Sequence, residues 1–143
     1  MTEPNSGPTV LLVEDDVFLL DMYSTKFTQN GFVVESCQSV AEALTALRGG
    51  VKPAVVLFDI VMPGEDGFSL LRSLKSEKLA EGACLIGLTN QSSDADKKQA
   101  IDLGADKYII KASMIPSEVV SLAKQCIVDM GQKPQSETPS PKS

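Results

Sequence analysis

TVLLVEDD, residues 9–16, is an apolar run rich in β-branched residues that stops abruptly on three acids. A strand with one wet face alternates apolar and polar residues. A run without alternation is a strand buried on both faces, as in a parallel sheet covered by helices. The same design recurs downstream. Ala54–Phe58 is a second apolar run that leads into Asp59, Ala83–Leu88 is another, and Asp106–Ile110 leads into Lys111. Phe32–Cys37 supplies one more strand pattern. Between the runs lie helical periods. Asp16–Asn30 places Val17, Leu20, Tyr23 and Phe27 at helical spacing, and Gly31 supplies a stop. Ser39 caps a helix over Val40–Arg48, and Gly49-Gly50 ends it. Gly67–Leu79 carries Phe68, Leu70, Leu71 and Leu74. Ser117–Met130 keeps Val119, Val120, Ala123, Ile127 and Met130 on one face. Asp94–Leu103, stopped by Gly104, has few apolar positions and predicts a loosely packed helix. Five strands alternating with five helices imply an α/β fold, a doubly wound parallel sheet with helices on both faces.

The chain has 143 residues, enough for one domain with a real core. Residues 1–8 and 131–143 are rich in Pro, Ser and polar residues and read as disordered ends, leaving 9–130 as the domain. The formal net charge is −6, which argues against nucleic acid as a partner. No apolar run is long enough to cross a bilayer, and the first residues lack a signal-peptide pattern, so no membrane role and a cytoplasmic address are expected. Cys37, Cys84 and Cys126 sit in apolar runs at wide spacing. They are expected to be buried free thiols in a reducing compartment, with a redox role as the alternative. The chain has no histidine. Any metal site must therefore be built from oxygen, which selects Mg²⁺, Ca²⁺ or Mn²⁺, and any phosphohistidine must come from another protein.

In doubly wound sheets, ligands bind beyond the carboxyl ends of the strands. Glu14, Asp15 and Asp16 follow the first strand, Asp59 the third, Thr89 the fourth and Lys111 the fifth. Each alone has an ordinary reading: acids cap helices, threonines form turns, lysines are solvated. Their convergence on one edge fits phosphoryl chemistry on a carboxylate. Close carboxylates repel one another by roughly 4 kcal/mol per pair at an effective dielectric near 20. A hard divalent cation relieves that repulsion and screens an incoming phosphoryl group.

Four motifs in this order carry a resemblance: VLLVEDD (Val10–Asp16), VVLFDIVMPGEDG (Val55–Gly67), IGLTN (Ile86–Asn90) and DKYIIK (Asp106–Lys111). Over about residues 9–130 the chain resembles the receiver domain of two-component response regulators. The resemblance implies a flavodoxin-like sheet of strand order 2-1-3-4-5. It implies that Asp59 is the phosphoacceptor, with Mg²⁺ (or Mn²⁺) held by Asp16 directly, by Asp15 through water, by Asp59 and by the backbone carbonyl of Val61. Lys111 would pair with the phosphoryl group, and Thr89 and Asn90 would contact it. Thr89 and Tyr108 would form the switch, Tyr108 turning inward as Thr89 moves toward the phosphate. Without that turn, Tyr108 reads as a half-buried strand residue with its hydroxyl at the surface. The implied donor is a sensor histidine kinase or histidine phosphotransfer protein. The implied output is a downstream protein bound at the face of the fourth helix, fifth strand and fifth helix, by a monomer or a phosphorylation-dependent dimer.

Three departures from the family pattern stand out. Ala112 replaces the usual proline after the lysine, so the Lys111–Ala112 bond is either cis at a cost of about 3 kcal/mol or trans. Asn90 is larger than the usual residue after the threonine. Val61 and Gln91 occupy the positions that tune phosphoryl lifetime, and an apolar Val61 cannot position an attacking water. Two other functions are weighed. An aspartyl phosphatase needs an acid/base carboxylate two residues past the nucleophile, where Val61 stands. A phosphorylation-independent scaffold would keep the fold and lose the chemistry. The chain is therefore expected to be a phosphoacceptor, not an enzyme acting on a separate substrate, and with only the polar tail after the last helix it is expected not to bind DNA.

Overall fold

The computed structural model describes residues 7–62, 64–90 and 93–131. Among these residues five strands and five α-helices alternate: β1 (Thr9–Val13), α1 (Val17–Gln29), β2 (Val33–Cys37), α2 (Val40–Arg48), β3 (Val55–Asp59), α3 (Gly67–Ser76), β4 (Cys84–Thr89), α4 (Asp94–Asp102), β5 (Lys107–Ile110) and α5 (Pro116–Gly131). The sheet order is β2-β1-β3-β4-β5 and every pairing is parallel. The expected α/β class and the 2-1-3-4-5 order are both realised.

Alternate residues of the central strands face opposite layers, and each layer has its own helices. Leu11, Val13, Val56 and Phe58 pack with Val40, Leu44, Leu70 and Leu74 of α2 and α3. Val10, Leu12, Val55, Leu57 and Ile86 pack with Leu20, Phe27, Val120 and Ala123 of α1 and α5. This two-sided burial is what the unbroken apolar runs require. α4 buries only Ala100 among its residues, in keeping with its thin apolar pattern.

Some expectations are corrected. The third helix ends at Ser76 with Glu77 as its C-cap, short of Leu79, because Lys78 takes a left-handed conformation (φ 57°) that a helix cannot continue through. Pro8, expected in a disordered end, accepts a hydrogen bond from Val33 N–H through its carbonyl (2.9 Å) and extends the β1–β2 edge. Residues 1–6 and 132–143 lie outside the described residues. The cysteines are not all free: Cys84 of β4 is disulfide-bonded to Cys126 of α5, with Cα atoms 6.2 Å apart, and only Cys37 is a thiol. The two stand 42 positions apart along the chain. The crossing of α5 over β4 makes them neighbours, and no sequence spacing encodes that.

Candidate functional site

The carboxyl edge of the sheet is built by the loops that leave β1, β3, β4 and β5. β3 delivers Asp59 as its last residue, 4% exposed. The loop beyond it folds back tightly, and Gly67 N–H donates to the Ile60 carbonyl (2.9 Å). A Cβ on Gly67 would stand 2.8 Å from the Asp59 carbonyl oxygen and 2.9 Å from the Ile60 Cα. Glycine is therefore demanded by the close approach of α3 to the end of β3. Asp66 caps α3 by accepting from Ser69 N–H (3.0 Å). These contacts fix the backbone that carries Asp59.

Lys111 lies across the site from the end of β5. Its Nζ donates to Glu14 Oε1 at 2.7 Å and to Asp59 Oδ2 at 3.1 Å. The other Asp59 oxygen accepts from Val61 N–H at 3.3 Å. No described peptide bond is cis. Lys111 thus reaches Asp59 through a trans bond to Ala112, on a short 3₁₀ turn, Lys111–Ser113. Burial alone would push the Lys111 ammonium down, but the Glu14 hydrogen bond and the charge of Asp59 outweigh it and the pKa is raised. Burial raises the Glu14 carboxyl, with the Asp59 charge adding to it, while Lys111 and the Asp16 N–H oppose the shift.

The acidic residues after β1 divide their roles. Oxygens of Glu14, Asp15 and Asp59 all lie within 4.8 Å of one another, with Glu14 and Asp59 buried and Asp15 exposed at the mouth. An all-oxygen set of this kind suits a hard divalent cation. Asp16, expected to be the direct ligand, is outside the cluster. Its Oδ1 accepts from Phe18 N–H (2.9 Å) and Leu19 N–H (3.2 Å) as the N-cap of α1. The physical reason is the helix start: the first N–H groups of α1 have no partner of their own, and Asp16 is the nearest acceptor. Glu14, placed at the strand end by its sequence but given no role there, is the third carboxylate of the cluster. The signal was present, since a residue directly before an apolar helical run is a cap candidate.

Thr89 ends β4 and is buried. Tyr108 sits one strand over on β5. Its hydroxyl is buried and lies near the Thr89 side chain, without a hydrogen-bond partner at good geometry among the described residues. Burial raises its pKa and Thr89 opposes the rise. The alternative of a surface hydroxyl is therefore wrong: the ring already points inward. Asn90 is exposed and lines a cleft of about 480 Å³ together with Lys111, Ala112, Met22 and Ile115. Val61 is 68% exposed. Gln91 lies outside the described residues. Phe18, 87% exposed, and Val17 (57%) and Ile115 (62%) leave apolar surface on loops and helix starts of this same edge.

A family model described as the response regulator receiver domain matches residues 10–123. The chain is 33% identical over 119 residues to the transcriptional regulatory protein GltR of Pseudomonas aeruginosa, covering 83% of this chain and 48% of that protein. It is 31% identical over 112 residues to the DNA-binding response regulator MtrA of Mycobacterium tuberculosis, covering 78% of this chain and 47% of that protein. The chain spans about half the length of the curated relatives it matches. Among solved structures, a CheY-like response regulator receiver domain protein from Methanospirillum hungatei superposes with a TM-score of 0.80 at 25% identity, covering 88% of this chain and 98% of that one.

Proposed function

The chain belongs to the response-regulator receiver family, and on that premise we propose that Asp59 accepts a phosphoryl group and that the modified site changes what the domain binds. The observation that carries this is the pairing of buried Asp59 with Lys111 at 3.1 Å, beside exposed Asp15. The donor is the phosphohistidine of a kinase or phosphotransfer protein, since this chain has no histidine. The phosphorus–nitrogen bond of the donor breaks, a phosphorus–oxygen bond to Asp59 forms, and the imidazole leaves with the electron pair. Val61 N–H and Lys111 hold Asp59 for in-line attack. Glu14, Asp15 and Asp59 are the side chains that would hold Mg²⁺, with the Val61 carbonyl as the backbone ligand that the family resemblance implies; the bound ion would neutralise charge on the phosphoryl oxygens. Lys111 then exchanges its Asp59 contact for a phosphoryl oxygen while keeping Glu14.

On this reading Thr89, which ends β4, and Asn90, which lines a cleft with Lys111, contact the new phosphoryl oxygens. Tyr108, already inward beside Thr89, couples that movement to the face of α4, β5 and α5, where a downstream protein binds. The marginal packing of α4 suits an element that shifts. Exposed Phe18, Val17 and Ile115 give the donor an apolar landing near the carboxylates. Turnover is confined to the domain's own aspartyl phosphate, with Val61 and Gln91 setting its lifetime. The test is Mg²⁺-dependent labelling by acetyl phosphate of wild type against Asp59→Asn. Labelling of wild type alone is expected. Equal labelling of both overturns the reading, and labelling of neither leaves a scaffold.

A further inference from the structure

We infer that Cys84 and Cys126 form a reversible disulfide lock that fastens α5 to β4 and makes the α5 face responsive to thiol oxidants. The bond joins the first residue of β4, whose last residue is Thr89, to the C-terminal half of α5. Both cysteines are buried, Cys84 at 0% and Cys126 at 3% exposure. They lie in the layer of Val119, Val120 and Ala123, the other side chains by which α5 is held to the sheet.

The fold has no need of this bond as a staple. Two apolar layers already bury both sheet faces, whereas domains that depend on disulfides are those lacking such a core. Its effect is therefore local to the helix it ties down. Formation is a two-electron oxidation. Two thiols and one small-molecule disulfide give the Cys84–Cys126 bond and two small-molecule thiols, through a mixed disulfide in which one cysteine is attacked by the other. Neither sulfur is open to solvent, so exchange requires α5 to lift at Cys126. Cys37 cannot take part. It lies in the opposite layer, with Val13 and Val40, and burial holds it as a thiol with its pKa pushed up to about 12. The lock does not depend on phosphorylation of Asp59.

The test is equilibration of the intact chain across a series of reduced and oxidised glutathione, followed by alkylation under denaturing conditions and mass measurement. One alkylated cysteine is expected at the oxidising end and three at the reducing end, in a single transition. Amide hydrogen exchange of residues 117–131 should be about tenfold faster in the reduced chain, with α2 and α3 unchanged. A Cys84→Ala/Cys126→Ala variant should exchange like the reduced chain at every glutathione ratio. Three alkylated cysteines throughout, a bond that yields only on unfolding, or equal α5 exchange in the two forms would overturn the inference.

Discussion

Replacing Lys111 by Met removes a cation that the structure shows paired with two buried carboxylates. At an effective dielectric near 20, the contact at 2.7 Å to Glu14 is worth about 6 kcal/mol and that at 3.1 Å to Asp59 about 5 kcal/mol. The two carboxylates, with oxygens within 4.8 Å, repel by roughly 3 kcal/mol on the same scale. Much of the attraction is offset by the desolvation of the ammonium, which is 9% exposed. What the variant loses is the penalty of leaving buried charges unpaired, about 3 kcal/mol at neutral pH. A divalent cation attacks the same problem from the solvent side, through Asp15. Saturating Mg²⁺ should therefore stabilise Lys111→Met more than wild type and narrow the gap by at least about 1 kcal/mol. Urea unfolding followed by far-ultraviolet circular dichroism at pH 7, with and without Mg²⁺, measures both quantities. A variant within about 1 kcal/mol of wild type, or a gap that Mg²⁺ leaves unchanged, refutes the account of Lys111 as the counter-charge of this site.

Three more outcomes are expected. Asp15→Asn should weaken Mg²⁺ binding by about tenfold or more, whereas Asp16→Asn, which keeps the α1 cap, should leave it within about threefold; titration calorimetry on both variants decides between the two acids. Ala80 holds φ at 54°, a left-handed conformation that costs a residue with a Cβ about 1 kcal/mol, so Ala80→Gly should raise stability by roughly that amount in urea titrations. Cys37 is a raised acid, ordinarily near 9 and pushed up to about 12, so the folded state keeps its proton where the unfolded state has lost it. Stability must then fall as pH rises between these values, by about 1.6 kcal/mol from pH 9 to 10.5. Cys37→Ala should show that much less loss over the same interval, and parallel curves for the two proteins would refute it.

The places where sequence reasoning succeeded and failed have a common physical basis. Strand burial was legible because a residue pair on opposite faces of a covered strand must both be apolar, and VLLV and VVLF satisfy that locally. Asp59, Thr89 and Lys111 were legible because a parallel sheet brings the ends of its strands to one edge. Asp15 falls in the acidic cluster as expected, and Asp16 does not. Both stand beyond the strand, and the deciding factor was which carboxylate the orphan N–H groups of Phe18 and Leu19 would capture. Tyr108 was left open between surface and interior, since a half-buried strand residue tolerates either.

By itself, then, the sequence determined the alternation of elements, the two-layer core and the set of chemical groups at the carboxyl edge, because hydrophobic period and chain order act over a few residues at a time. Only the tertiary structure decided that Glu14 and not Asp16 faces Asp59, that Lys111 reaches both through a trans bond, that the Tyr108 hydroxyl is buried beside Thr89, and that Cys84 meets Cys126. Each of these rests on distances of a few ångströms between residues far apart along the chain, and such distances are set by how helices seat on the sheet.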